Sequence, residues 1–384
     1  MISETRHADK KMKLGEVCNL ILGQSPSSDS YNTDGVGLPF YQGNADFGED
    51  HPTPRVWCNE PKKVVLPGDI LISVRAPIGA INVADEKCCI GRGVAAIEPY
   101  CKIVSRDFLK QQLLAKRAML ESRGTGSTFK AVGKRALLDF PIRVYPLPEQ
   151  AHIEQQFKQV LSSISACRHY LTLLDALVKS RFVEMFGGTG ISKKHLEDIA
   201  DIQGGITKNR KREALKLQLP YLRVANVLPN ELDLTEVKTI GLTEQEYEAV
   251  RLMPGDLLIV EGNGSGTQIG RSAIWNGQIA PCVHQNHLIR VRLKDEALPH
   301  YVQAFLSSSE GRRQIMAKAV NTSGLHTIST GKIRSLEIPV PPFKLQQEFA
   351  SFVAEVDKSK SIAQKQIEKL QLLYDSLAQE YFGD

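Results

Sequence analysis

A mixed α/β (α+β) fold is predicted, with two similar domains joined by two long helices that pack as an antiparallel coiled coil about an approximate internal two-fold. Three observations predict it: an internal duplication with a period of roughly 190 residues, an apolar run behind each of two Pro-Gly-Asp turns, and a sustained alternation of four- and three-residue steps between apolar positions in two segments. The first copy opens on Lys13-Leu14-Gly15-Glu16-Val17 and the second on His195-Leu196-Glu197-Asp198-Ile199. Leu66-Pro67-Gly68-Asp69-Ile70-Leu71-Ile72 is answered by Met253-Pro254-Gly255-Asp256-Leu257-Leu258-Ile259. In both, Pro-Gly makes a turn and the apolar residues after Asp form a buried strand. Leu137-Leu138-Asp139-Phe140-Pro141-Ile142 is matched by Ile333-Arg334-Ser335-Leu336-Glu337-Ile338-Pro339-Val340.

Each copy ends in a long helix, introduced by Pro146-Leu147-Pro148 in the first and by Pro341-Pro342 in the second, because proline bars an earlier helical start. Ile153, Phe157, Val160, Ile164, Cys167, Leu171, Leu174 and Val178 step by four and three, the spacing of a coiled-coil seam. The residues 196 positions on are Phe349, Val353, Val356, Lys360, Ala363, Ile367, Leu370 and Tyr374, so both helices share one register. Lys360 is the polar exception, either snorkelling along its stem or fixing the register. The two helices close on Phe186-Gly187 and Phe382-Gly383, which suits a glycine C-cap. Helices of about 38 residues, ~57 Å, are too long to be supported by separate globular cores alone. The second must therefore run back along the first. The expected divisions are 1–148 and 188–342 for the globular domains and 149–187 and 343–384 for the helices, with Gly187-Gly188-Thr189-Gly190 as the flexible joint.

Composition narrows the function. Hydrophobic residues make up 42% and charged residues 24% of the 384, which excludes wholesale disorder. No apolar run reaches the ~20 residues of a membrane span, and the first residues lack a signal-peptide core. Seven cysteines with no C-x-x-C pair argue against a disulfide framework or a structural zinc site. The adjacent Cys88 and Cys89 fit a buried strand, and a reducing cytoplasm is the expected compartment. The net charge of +5 permits nucleic acid as a partner. The basic excess lies in the globular parts, since the second helical segment is acidic.

Enzyme motifs are missing. Gly133-Lys134 runs into Arg135 and Gly331-Lys332 into Ile333, where a phosphate-binding loop needs Ser or Thr. No Asn/Asp-Pro-Pro-aromatic loop of an amino-methyltransferase is found, and the alternating glycines of Gly262-Asn263-Gly264-Ser265-Gly266 miss the dinucleotide spacing. His284 and His287 could approach each other, but no third metal ligand is evident. Neither a catalytic residue nor a metal site is expected.

Pro341-Pro342-Phe343-Lys344-Leu345-Gln346-Gln347-Glu348-Phe349-Ala350, its shorter counterpart Pro146-Leu147-Pro148-Glu149-Gln150, and the Pro-Gly-Asp strands resemble the specificity subunits of type I restriction-modification systems. The resemblance covers nearly the whole chain. It implies two DNA target-recognition domains, each followed by a spacer helix, in a non-catalytic subunit reading double-stranded DNA. Two copies of an adenine methyltransferase would dock on it, joined by ATP-dependent restriction subunits. S-adenosylmethionine, ATP and Mg would then be bound by those partners, with no cofactor in this chain. Two divergent heads on a symmetric frame suit an asymmetric target whose half-sites lie about one helical turn apart, roughly 34–36 Å. The alternatives are a subunit of a methylation-only or fused restriction system, and a coiled-coil scaffold that binds proteins.

Candidate DNA-contacting residues in the first domain are Gln24, Ser25, Tyr41, Gln42, Asn44, Arg75, and Ser127, Thr128 and Lys130 of a polar glycine loop. Arg75 follows a buried strand and suits guanine or phosphate, or else a structural salt bridge. In the second domain, Thr207, Lys208, Arg210, Lys211 and Arg212 form a basic run that fits phosphate contact or a solvated loop. Asn263, Ser265, Thr267, Gln268 and Arg271 lie in or beside the glycine-rich loop, where small residues let a backbone come close to a base. Gln285, Asn286 and His287 form either a base-reading strand end or a hydrogen-bonded turn. His326 and Thr327 occupy the place of the polar glycine loop of the first domain.

Overall fold

The structure, a computed structural model, describes residues 9–126, 130–188, 190–322 and 324–383. Ser127 and Thr128 of the candidate set, and Thr189 of the glycine-rich joint, lie outside these residues. The chain divides into two compact units. One takes the chain up to Arg168 together with the stretch from Gln364 onward; the other is His169–Ala363.

In the first unit a four-stranded antiparallel sheet runs in the order Cys18–Leu22, Val94–Pro99, Ile70–Ser73, Ile81–Val83. In the second unit the order is Ala200–Gly204, Leu288–Leu293, Leu257–Val260, Ser272–Ile274, again antiparallel. A further sheet in each unit contains one parallel pair, Leu38–Tyr41 with Cys88–Ile90 and Leu217–Leu222 with Val283–His284. Of the two terms joined in the expectation, α+β therefore describes the fold. Strands joined by short turns pair antiparallel, whereas a parallel α/β sheet needs a crossover between successive strands.

Local chemistry explains why both copies fold alike. Gly68 and Gly255 have φ of 95° and 94°, a left-handed conformation that suits glycine. The carboxylate of the residue that follows each glycine closes the turn: Asp69 accepts from the Leu66 amide at 2.9 Å and Asp256 from the Met253 amide at 2.7 Å. The strands that follow, Ile70–Ser73 and Leu257–Val260, are buried throughout. At the opening of each copy, Glu16 accepts from the Lys13 amide and Asp198 from the His195 amide, one arm of a capping box on a short helical turn.

The long helices are Leu147–Phe186 and Phe343–Phe382. The first begins two residues before the expected Glu149, with Pro148 in its first turn, where an amide hydrogen has no intrahelical partner anyway. Gln150 and Gln346, 196 positions apart, do the same work. Each is fully buried, donates to two carbonyls (Ile103 and Tyr145; Glu296 and Pro341) and accepts an amide from Ser105 or Leu298. The glycine C-cap expectation is corrected. Gly187 and Gly383 donate to the Val183 and Gln379 carbonyls, continuing the helical pattern, and neither has positive φ.

Every position of the proposed seam is buried or half-buried, while its neighbours on the opposite faces are exposed. In the first unit, Phe157 lies 5.2 Å from the ring of Tyr374 and stacks on Phe382 at 5.3 Å, and Tyr145 donates its hydroxyl to the Tyr381 carbonyl. In the second, Phe182 and Phe186 each pack 5.6 Å from Phe349. The ammonium of Lys360 is bonded to the exposed Asp175 of the other long helix. Within the second unit, position 175 thus faces 360 while 182 faces 349, so the helix segments there run antiparallel. No helix among the described residues is long and apolar enough to cross a membrane.

Candidate nucleic-acid interface

Four strand ends converge in each unit, and the same lattice of main-chain hydrogen bonds ties them together. In the first unit, the Gln24 amide donates to Ile90, Gly91 to Tyr41, Val94 to Gly91, Val74 to Gly93 and Val132 to Val74, all between 2.8 and 3.0 Å. In the second, Ile206 donates to His284, Gln285 to Leu222, Leu288 to Gln285, Glu261 to His287 and Ile328 to Glu261, over the same 2.8–3.0 Å range. The correspondence equates Gln24 with Ile206, Gln42 with Arg223, Val74 with Glu261, Gly91-Arg92-Gly93 with Gln285-Asn286-His287, and the Ala131 region with Thr327. The frame is common to both units, but the side chains it presents differ at nearly every position.

In the first unit this junction gathers Gln24, Gln42, Arg75 and Lys130, all exposed. Asp46 sets the Gln42–Asn44 turn by accepting from the Gln42 and Gly43 amides at 2.7 and 3.2 Å, and Arg55 pairs with the same carboxylate. Arg75 pairs its backbone with Ala131, which brings the loop carrying Lys130 alongside. Ser25 and Asn44 are half-buried at its margin. Tyr41 is corrected. It is 1% exposed, packed with Val65, Leu71, Cys88 and Ile90, and burial raises its hydroxyl above the ordinary tyrosine value. Both faces of this strand are buried, Phe40 and Tyr41 each being 1% exposed, and Gln42 is the first residue past its end and the first to reach the surface.

In the second unit, Thr207, Lys208, Arg210 and Lys211 are exposed. Arg212, grouped with them from its sequence, is corrected: it pairs with Glu246 at 2.8 Å and donates to the Thr207 and Gly241 carbonyls. The Arg212 guanidinium, with the Thr243 amide, draws the Glu246 carboxyl down to about 2. Because the folded-state value lies below the unfolded one, this pair stabilises the fold above about pH 4.5, and the contribution fades as pH falls toward 2. Glu246→Gln should flatten that part of the acid-denaturation curve while leaving the midpoint shift small, the carboxylate being a third exposed. An unchanged slope of urea midpoint against pH in the variant refutes the pairing.

Arg271 is corrected as well. Its guanidinium donates to the Val227 and Val224 carbonyls at 2.6 and 3.0 Å and to the Gln268 side chain at 3.1 Å, so it braces the loops rather than facing outward. Asn263 accepts from the Ser265 amide, Ser265 and Thr267 share a hydroxyl bond of 2.8 Å, and Arg312 holds the Thr267 and Ile269 carbonyls. Strand Gly262–Asn263 pairs with Leu325–Thr327, which puts His326 beside Asn263 and Thr327 beside Gly262. His284 is buried between the Val250 and Gln203 carbonyls, and that burial pushes its imidazole down to about 4. His287 is exposed, 3.6 Å from Glu261. Gln285 and Asn286 are half-buried at the same turn. No cluster of three or more metal-ligating side chains occurs among the described residues.

Arg92 was missed from sequence. It is exposed at the tip of the Gly91-Arg92-Gly93 turn and makes no hydrogen bond or ion pair among the described residues. The signal was present: glycines on both sides of a cation directly after the buried Cys88-Cys89-Ile90 strand mark a tight, outward turn. Arg223 was missed too, but its guanidinium is committed to the Glu236 carbonyl and carboxylate.

Comparison with known proteins adds an independent line. Residues 9–169 and 190–372 each match the family described as type I restriction modification DNA specificity domain. A putative type I restriction enzyme MjaX specificity subunit of Methanocaldococcus jannaschii is 45% identical over 141 residues, 37% of this chain and only 33% of that protein. The EcoKI specificity subunit of Escherichia coli strain K12 is 25% identical over 359 residues, 85% of this chain and 75% of that protein. A crystal structure of a type I restriction-modification system S subunit from M. genitalium has the same fold, with a TM-score of 0.56 over 100% of this chain and 98% of the other at 13% identity.

Proposed function

The chain belongs to the type I restriction-modification DNA specificity family, which it matches twice in tandem, and from that membership we propose that it is the non-catalytic reader of a bipartite, asymmetric DNA target. Reading heads are assigned to residues 1–148 and 188–342, and spacer helices to 149–187 and 343–384. The two helices form one antiparallel coiled coil along the whole seam, and an internal pseudo-two-fold relates the halves. Two copies of a DNA adenine methyltransferase dock on this frame, and ATP-dependent restriction subunits complete the assembly. S-adenosylmethionine, ATP and Mg are bound by those partners, in the cytoplasm.

The observation that carries the reading is the repeated strand-end junction: one hydrogen-bond lattice, two different sets of outward side chains. A frame that repeats suits the pseudo-symmetry of duplex DNA, and side chains that differ suit two unlike half-sites. The exposed cations Lys208, Arg210 and Lys211 stand close in sequence to Ile206 of that junction, where phosphates would be met.

The expected result is that the purified full-length chain neither methylates nor cleaves DNA, while co-expression with its methyltransferase produces adenine methylation at one split, non-palindromic motif. Methyl transfer by the chain alone contradicts the non-catalytic assignment. A co-expressed complex that methylates without sequence preference contradicts the reading role.

A further inference from the structure

The tip of the four-strand junction is occupied by different residues in the two units, and the difference has a chemical meaning. In the first unit the tip is Arg92. A Cβ at Gly93 would stand 2.1 Å from the Gln42 carbonyl oxygen, and one at Gly91 would stand 3.1 Å from the Phe40 ring. There is no room for a side chain at 93, and one at 91 would crowd the Phe40 ring, so the turn is pressed onto the Gln42 loop and Arg92 is the one side chain it projects. Gln24, Gln42 and Arg75 lie at the strand ends that main-chain hydrogen bonds tie to this turn, and none of them is a carboxylate. The nearby carboxylate, Asp46, is taken by Arg55 and two amides.

In the second unit the tip is Asn286. Its amide donates to the Ile206 carbonyl at 3.0 Å, which fixes the backbone. Its side chain has no hydrogen-bond partner among the described residues. On one side His287 is engaged with Glu261. Asn286 thus holds a free donor and a free acceptor on one planar edge, as Arg92 holds a free planar fork of donors.

We propose that Arg92 and Asn286 are the equivalent base-reading positions of the two heads, Arg92 selecting a guanine and Asn286 an adenine. A guanidinium matches the two acceptors, O6 and N7, on the major-groove edge of guanine. A carboxamide matches the donor and acceptor, N6 and N7, of adenine. The inference rests on the DNA-reading function proposed above, and it explains how one frame yields two unlike half-sites.

The test uses the full-length chain co-expressed with its methyltransferase, with the host genome as probe and sequencing of methylated adenines as readout. Wild type defines the motif. Arg92→Ala and Arg92→Lys should each relax one guanine position in one half-site, with discrimination falling about 5- to 150-fold there and the other half-site unchanged. Lysine keeps the charge but loses the fork, so it separates base reading from phosphate contact. Asn286→Ala should relax one adenine position in the opposite half-site. If Arg92→Ala leaves the motif intact while weakening binding to all duplexes and lowering the salt slope by about one, Arg92 touches phosphate and the base assignment is wrong. A motif and an affinity both unchanged in the Arg92 variants also overturn it, with the DNA-reading function still standing. A wild-type complex with no preferred motif removes that function itself.

Discussion

Phe382→Ala should destabilise the first unit by about 3–5 kcal/mol, the range for truncating a buried phenylalanine. The residue is the last of the second long helix. Here it is 1% exposed, 5.4 Å from the ring of Phe108 and stacked on Phe157, inside a core whose other fully buried members run from Leu14 to Phe157. The control is Ile362→Ala on the same helix: that side chain is 70% exposed, and its loss should shift stability by less than about 0.5 kcal/mol. Urea denaturation followed by the tryptophan-independent far-ultraviolet signal measures both. Equal effects of the two substitutions would show that the end of the second helix does not complete the first core.

A chain cut to residues 1–187 should dimerise. It lacks Tyr374 and Phe382, and so leaves Phe108 and Phe157 without the rings that cover them. The residues 196 positions earlier are Val178 and Phe186, present in the shortened chain. Phe186 already plays the matching part in the second unit, packed 4.8 Å from Tyr301 and 5.6 Å from Phe349. A second copy can therefore supply Val178 and Phe186 to the first, and closed two-fold pairing buries both stripes at once. Ile164 would stand where Lys360 stands, leaving Asp175 without its cation. Since Asp175 is 57% exposed, that loss is small. The unfolding midpoint should rise with protein concentration, and the dimer with its methyltransferase should methylate a palindrome of the first half-site. A stable monomer in light scattering, or an asymmetric methylated motif, excludes the exchange.

The candidate site was legible where the requirement is local. Arg75 follows a continuous apolar run behind a Pro-Gly-Asp turn, and the basic run around Arg210 needs no partner to be recognised. Tyr41 and Gln42 are neighbours in sequence, yet one is core and the other surface, because the strand buried on both faces ends at Tyr41 and Gln42 stands past it. Arg212 and Arg210 are two residues apart in one basic run. Only Arg212 meets a carboxylate, and that carboxylate belongs to Glu246, on a helix the sequence does not tie to it. The glycines flanking Arg92 mark a tight turn in the sequence, but that this turn is pressed onto the Gln42 loop, among the other strand ends, is settled only by the fold.

The sequence by itself determined the duplication, the Pro-Gly-Asp turns, the buried strands behind them and the shared register of the long helices. Each of these follows from backbone preferences or from side-chain periods of two and about three and a half residues, which act over a few neighbours. Tertiary structure alone decided which core Phe382 enters, that Lys360 is held by Asp175, that Arg271 braces loops, and that Arg92 and Asn286 occupy one position of one frame. Those outcomes depend on groups far apart in the chain, whose pairing is settled by burial and by the need of every buried polar group for a partner.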